Sequence, residues 1–359
     1  MKIVLSFNKP GLEGDLWERE IRAASDGEHD FIPFNHGRYI DPSRHWDSVK
    51  LDQIYQRRDS DLMQLYEELR GLLKQTQADA IVVTNCPPYH PEFLRTLNIY
   101  KALYSTDDPG ATYMRTIPYI HAYDHIFYCA PGYSRDLNLG EKLAYAGARR
   151  AEWLPLGVFD FEFEPQKSTV ELMETPRDID IIYIGGCFRQ KLSLLAAVRK
   201  AFGSRFRMHG MFSMKCNLYL NLRHGYGGWV RSVSLRQRVA LYQRARVGFN
   251  IHWNEHGLGN QRLYHLPANG VMQISDCPGD LGRVFEVGRE VDSYSRPEEL
   301  LEKIRYYLDH EAERRAIAAA GHERVMREYR FANILRRAAD RLAAATAKEK
   351  DILASESHG

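Results

Sequence analysis

The chain lacks a hydrophobic run long enough to cross a bilayer: no stretch of its 359 residues approaches the ~20 apolar residues that a spanning helix needs. A charged segment followed by an apolar stretch, the mark of a secretory leader, is missing too, and the sequence starts on the strand-like Lys2-Ile3-Val4-Leu5-Ser6-Phe7. These absences predict a cytoplasmic protein, with peripheral membrane contact left open. Cysteine is scarce: Cys86, Cys129, Cys187, Cys216 and Cys277 are odd in number, far apart and never in a CxxC pair. That argues against a cysteine-built zinc site and predicts buried free thiols. Charge of one sign is lacking, since 49 Lys and Arg against 47 Asp and Glu leave a formal net charge of +2. A nucleic-acid groove is therefore not expected. With neither GxGxxG nor GK[ST] in the sequence, the dinucleotide fingerprint and the P-loop are excluded.

What is present is an ordinary globular composition, 44% hydrophobic, in a chain too long for one core. Short apolar runs bounded by Gly, Pro or Asn alternate with helical patterns, the signature of parallel sheets covered by helices. Strands are expected at Ile3–Phe7, Ala80–Thr84, Ile126–Cys129 and Glu152–Leu156 in the first half. In the second half they are expected at Asp180–Ile184, Phe206–Gly210, Val247–Ile251 and Val271–Asp276. Leu62, Leu65, Tyr66, Leu69 and Leu73 recur at helical spacing. An apolar helix is expected to end near Tyr104. The reading is two Rossmann-like α/β domains with a cleft between them: residues 1–158, a linker or hinge at 159–177, residues 178–330, and a C-terminal helix with a polar tail at 331–359.

Two segments of the second half could hold phosphates. In Ile184-Gly185-Gly186-Cys187-Phe188-Arg189-Gln190-Lys191 a buried strand ends in paired glycines and enters a helix, which lets backbone amides approach an anion. Arg189 and Lys191 are within reach of it, although a plain strand-to-helix turn reads the same way. In Asn250 to Gly270 a strand runs into a Gly-rich loop and then a helix, with Asn260 as cap and Arg262 in its first turn. Arginine can bind phosphate bidentately. His252, Glu255 and His256 match HxxEH, but they straddle a strand end and a loop rather than one helix, so zinc is not expected.

Elsewhere the chemistry is sparser. Asp107 and Asp108, before Pro109, read as a turn or as acceptors of sugar hydroxyl bonds. Asp59-Ser60-Asp61 and Asp178-Ile179-Asp180 resemble a metal-binding DxD, but one opens a helix and the other leads into a strand. The loop Asn8 to Gly14, with Gly11 and Gly14, follows the first strand at the edge where open α/β sheets bind ligands. His121 and His125 are lesser candidates for the same cleft.

In this order and spacing, the chain resembles the glycosyltransferases of the group-1 superfamily, and most closely their CgeB-like branch, named after a spore maturation protein. The likeness rests on Tyr183-Ile184-Gly185-Gly186, Arg262-Leu263-Tyr264-His265-Leu266-Pro267-Ala268-Asn269-Gly270, Ser275-Asp276, Gly288-Arg289-Glu290-Val291, Pro297-Glu298-Glu299-Leu300 and Arg324-Val325. Asp107-Asp108 and the run Trp153 to Val158 match more weakly. The resemblance implies the GT-B architecture and metal-independent, retaining transfer from a nucleoside diphosphate sugar, a UDP-sugar first. It implies a donor site of Gly185, Gly186, Arg189, Lys191, Asn260, Arg262, Asn269 and Gly270, with Asp107, Asp108 and His265 at the chemistry and Gly11, Gly14 and His121 on the acceptor side. The acceptor, whether glycan, protein, lipid or small molecule, is not legible, nor is the oligomeric state. Relatives carry Glu where this chain has His265, and an imidazole lacks a carboxylate's two acceptors. That departure keeps a non-catalytic binding protein in view beside a transferase, and a nucleotide-sugar epimerase stands as a third reading.

Overall fold

The computed structural model describes residues 1–40, 48–85, 88–132, 138–186, 189–252, 258–276 and 278–356. The chain divides into two compact units, Met1–Leu156 with Phe331–Gly359, and Gly157–Arg330.

The first unit holds β1 (Lys2–Phe7), β2 (Asp30–Asn35), β3 (Ala80–Thr84), β4 (Tyr100–Ser105), β5 (His125–Tyr128) and β6 (Ala151–Trp153), in the order β2-β1-β3-β4-β5-β6. Every neighbouring pair is parallel. β1 and β3 are aliphatic in their middles because helices cover both faces of such a sheet; Ile3, Val4, Leu5, Ile81 and Val83 are buried. The helix Ser60–Thr76 turns its expected leucine stripe inward, and the Asp59 side chain caps it by accepting from the Leu62 amide at 3.3 Å.

Three expectations are corrected here. Residues 100–105 form β4 rather than the end of a helix; a short run buried on both faces has no period to tell the two apart. The final helix, Phe331–Glu356, is not a separate tail. Its stripe Ile334, Leu335, Ala338, Leu342 and Ala345 is buried, Phe331 packs 5.6 Å from Trp17, and Arg336 donates to the Ala24 carbonyl at 3.0 Å. Residues 159–177 are not an unstructured connection, since Phe159, Glu162 and Phe163 are buried and Thr169–Glu174 is helical. They fall within the second unit.

That unit contains β7 (Ile179–Ile184), β8 (Phe206–His209), β9 (Ala245–Asn250), β10 (Met272–Ser275) and β11 (Asp292–Ser293), in the order β11-β10-β9-β7-β8, all parallel. Alternation along β7 divides the core. Ile181 and Tyr183 pack with Val247, Phe249, Leu300 and Ile304 on one face, while Ile182 and Ile184 pack with Tyr242, Leu266 and Val271 on the other. Gly248 matters to that second face: a Cβ there would sit 2.5 Å from Leu266 Cδ2, so only glycine lets the helix Arg262–Ala268 lie close against β9.

Cys129 is a free, buried thiol as expected, but Cys216 is disulfide-bonded rather than free. Cys86, Cys187 and Cys277 lie outside the described residues. Among the described residues no helix is long and apolar enough to cross a membrane.

Candidate functional site

β7 and β9 deliver their carboxyl ends side by side, and a helix lays its first residue across them. That residue, Arg262, is 9% exposed. Its Nε donates to the Ile184 carbonyl at 2.7 Å and its Nη1 to Asn250 Oδ1 at 2.9 Å, while the guanidinium carbon stands 4.3 Å from the centre of the Tyr183 ring. Nη2 finds no acceptor among the described residues and lies against Gly185, where a Cβ would come within 1.8 Å of it. Gly185 is thus the residue that leaves room for the guanidinium, and no carboxylate pairs with that charge among the described residues. Gln261 rather than Asn260 stands at the N-cap, while Asn260, one residue earlier, accepts at its Oδ1 from the Leu263 amide at 3.2 Å.

A second cation sits at the same edge. Lys191 is 5% exposed, and its Nζ donates to the Ile251 carbonyl at 2.8 Å. Burial, helped by the Arg262 charge and opposed by Asp276, brings its pKa down to about 8. Asp276 is engaged by His252, which donates its backbone amide to Oδ2 at 2.7 Å and whose Nδ1 lies at hydrogen-bonding distance from Oδ1. Two buried cations against one committed carboxylate make this strand edge electropositive, a setting for an anion.

The predicted donor residues do not all converge there. The Gly185 amide donates to the His209 carbonyl at 3.0 Å, so it is not free for a phosphate. Arg189 opens its helix on the surface, its guanidinium 5.7 Å from the Tyr219 ring. Asn269 is fully buried and spends its Nδ2 on the Glu162 and His265 carbonyls at 3.0 and 2.9 Å. Gly270, at φ +65°, ends the helix against Arg177 Nη2, 2.7 Å from where its Cβ would be. The cause is length: a helix running Arg262–Ala268 at about 1.5 Å per residue carries its two ends to opposite edges of the sheet. Gly186 remains at the site. Glu255 and His256 of the HxxEH match lie outside the described residues.

In the first unit, Asp107 is exposed and paired with Arg115. Asp108 is 2% exposed, its Oδ1 accepts from Thr112 and Thr116 hydroxyls at 2.6 and 3.3 Å, and its Oδ2 is buried without a hydrogen-bond partner among the described residues. Burial raises its pKa, opposed by hydrogen bonds from Ser105 and the two threonines. Gly11 starts the first helix, and Gly14 packs against Asn35 and the Lys9 carbonyl. His121 stands before β5 and against Gly147, before β6. It therefore lies at the amino edge of the sheet, and the structure does not bring it together with the loop after β1.

Residues 189–340 match a family model described as glycosyl transferase-like. No curated protein sequence matches the chain significantly. Among solved structures it is similar to the sucrose-phosphate synthase of Thermosynechococcus elongatus, at 13% identity and a TM-score of 0.61, with 97% of this chain and 99% of that one covered. It is similar also to Anabaena HepE in complex with UDP and glucose, at 10% identity and a TM-score of 0.60, covering 96% and 100%. The chain has the GT-B fold. The same likeness extends to a Listeria monocytogenes structure assigned as a UDP-N-acetylglucosamine 2-epimerase, at 11% identity and a TM-score of 0.56, covering 98% and 96%.

Sequence reasoning missed two residues that organise this GT-B chain. Asn35, at the end of β2, clamps the loop after β1: its Nδ2 donates to the Lys9 carbonyl at 2.7 Å and its Oδ1 accepts from Lys9 and Gly37 amides at 3.2 and 3.1 Å. Glu162, inside the expected linker, stands beside His265, Oε2 to Nε2 3.0 Å, off the line a good hydrogen bond needs. Its Oε1 accepts from Arg238 at 2.7 Å and its Oε2 from the Phe159 amide at 3.1 Å. Burial alone would raise its pKa, yet His265, Arg238 and the Phe159 amide hold it at about 2. The acids Asp160 and Glu162, alternating with Phe159, Phe161 and Phe163, were the available signal.

Proposed function

We propose that this chain is a glycosyltransferase of the CgeB-like branch, taking a sugar from a nucleoside diphosphate sugar, a UDP-sugar first, and handing it to an acceptor with retention and without a metal. The observation that carries this is the buried Arg262 guanidinium at the ends of β7 and β9, with no carboxylate partner among the described residues and with Lys191 at the same edge. Transfer develops negative charge on the departing diphosphate, and cations already fixed in place lower that barrier with little reorganisation. Arg262 and Lys191 are the residues for that task, with Gly186 beside them. HepE, solved in complex with UDP and with UDP-glucose, supports the choice of donor. Retention and metal independence rest on the family resemblance.

The test is a thermal-shift screen against UDP, GDP, CDP, TDP and ADP with their sugars, since a ligand that binds only the native state raises the melting temperature. Arg262→Lys keeps one charge but cannot span the Ile184 carbonyl and Asn250 while also presenting a second nitrogen. A selective shift in the native protein that disappears in this variant supports the site. An equal shift in both removes Arg262 from it, and no shift from any nucleotide returns the chain to a non-catalytic reading. The likeness to the epimerase structure keeps a second reaction open, and product analysis with donor alone separates them, because an epimerase converts the sugar while it is still on the nucleotide.

A further inference from the structure

The opposite edge of the second unit's sheet carries a different concentration of charge. Arg177 precedes β7, Arg246 starts β9, and Arg314 and Arg315 come from the first turn of the helix Glu311–Glu328. All four line one cavity of about 270 Å³, together with Glu311 and the backbone at Gly270. Arg177 is held by carbonyls alone: Nη1 donates to Ala245 and Tyr242 at 2.6 and 3.3 Å, Nη2 to Asn269 and Leu172 at 3.1 and 3.4 Å. Arg314, 5% exposed, donates Nη1 to the Tyr307 carbonyl at 3.0 Å and keeps Nη2 3.6 Å from Glu311. Arg315 reaches the same Glu311 oxygen at 3.1 Å, and Arg246 reaches Asp180 at 2.8 Å.

Two carboxylates thus face four guanidiniums, leaving a surplus of two positive charges, and Asp180 is shared further with Arg205 at 2.6 Å. Neighbouring groups respond to that surplus. Burial and the charges of Arg314 and Arg315 bring Arg177 down to about 10, and burial with the Arg177 charge brings His322 down to about 4. Arg246 also donates its Nε to the Arg177 carbonyl at 3.1 Å; the Nη2 of Arg246 and the further N–H groups of Arg314 and Arg315 have no partner among the described residues. Guanidinium forks of this kind suit the oxygens of a phosphate, and a dianion balances the surplus.

We propose that this cavity binds a small phosphate-bearing dianion, at a site separate from the one at Arg262 and independent of the proposed transferase reaction. The test is calorimetric titration in chloride buffer with two probes, inorganic phosphate and glycerol 3-phosphate. It is run on the native protein, on Arg315→Ala and Arg315→Glu, whose side chain is half exposed and whose change leaves the fold in place, and on Arg262→Lys. Saturable binding weakened about tenfold or more by Arg315→Ala, abolished by Arg315→Glu and kept in Arg262→Lys is expected. Equal affinity for both probes assigns free phosphate; tighter binding of glycerol 3-phosphate assigns a phosphorylated metabolite. Absence of saturable binding to about 10 mM, binding unchanged by both Arg315 variants, or binding lost only in Arg262→Lys overturns the proposal.

Discussion

Replacing Glu162 by Gln keeps the side chain's shape and removes its charge. The amide keeps one oxygen for Arg238, at 2.7 Å from Oε1 in the native protein, but turns an NH2 towards the Phe159 amide, which donates to Oε2 at 3.1 Å, and it removes the charge beside His265; the pH dependence separates the lost charge from the lost acceptor. A carboxylate held at about 2, against an ordinary 4.5, is favoured in the folded state by some 2.5 pH units, or about 3 kcal/mol. Because the folded pKa lies below the unfolded one, that contribution is present in full above about pH 4.5 and fades as pH falls towards 2. Glu162→Gln should therefore lower the melting temperature of the second unit by roughly 6–12 °C at pH 7, at about 2–4 °C per kcal/mol for a unit of this size. The gap to the native protein should narrow between pH 4.5 and 3. Differential scanning calorimetry across that range reads both effects. Equal melting temperatures at pH 7, or a gap that stays constant down to pH 3, would refute the argument that the charge, rather than the fit, is what Glu162 supplies.

Gly185→Ala places a methyl carbon where Arg262 Nη2 stands, so the guanidinium must swing away; donor affinity in the thermal-shift titration should fall about tenfold or more, with helix content by circular dichroism unchanged. Asp108 tests the opposite sign of linkage to Glu162. Its pKa is raised by burial, so its contribution is complete below the unfolded value and declines as pH climbs through the folded one. Asp108→Asn should consequently be less stable than the native chain at pH 4 and gain on it by pH 8, and a pH-independent difference would contradict the assignment.

β7 to β10 were legible because each is a short, mostly buried apolar stretch that stops at a glycine, an asparagine or Ser-Asp, while the two-residue β11 carries no such signal; the leucine spacing of Ser60–Thr76 has one interpretation. β2 and β4 were not. Asp30–Asn35 contains a proline and Tyr100–Ser105 mixes lysine with tyrosine, and only the neighbouring strands, through register such as Phe31 opposite Ile3 and Tyr100 opposite Ala80, make them strands. Arg262 and Lys191 could be found from sequence because helix starts after strand ends are where anions bind. Asn269 and Gly270 were misplaced for a reason the sequence does contain: the helix length that separates them from Arg262 was available, but proximity along the chain was read as proximity in space.

His265 shows what no local reading could supply. Its imidazole replaces a carboxylate expected from the resemblance, and from the segment alone this is a loss of charge and of one acceptor. The fold brings Glu162, more than one hundred residues earlier in the chain, to 3.0 Å from that imidazole, and Asn269 ties the Glu162 carbonyl back to the same helix at 3.0 Å. A carboxylate is therefore present against this helix after all, carried by a segment whose aromatic neighbours, Phe159 and Phe163, are buried and hold it there. The substitution at 265 and the acid at 162 are one arrangement, and the Glu162→Gln experiment measures it as such: if the imidazole needs the carboxylate, His265→Ala in the Glu162→Gln background should destabilise less than His265→Ala alone.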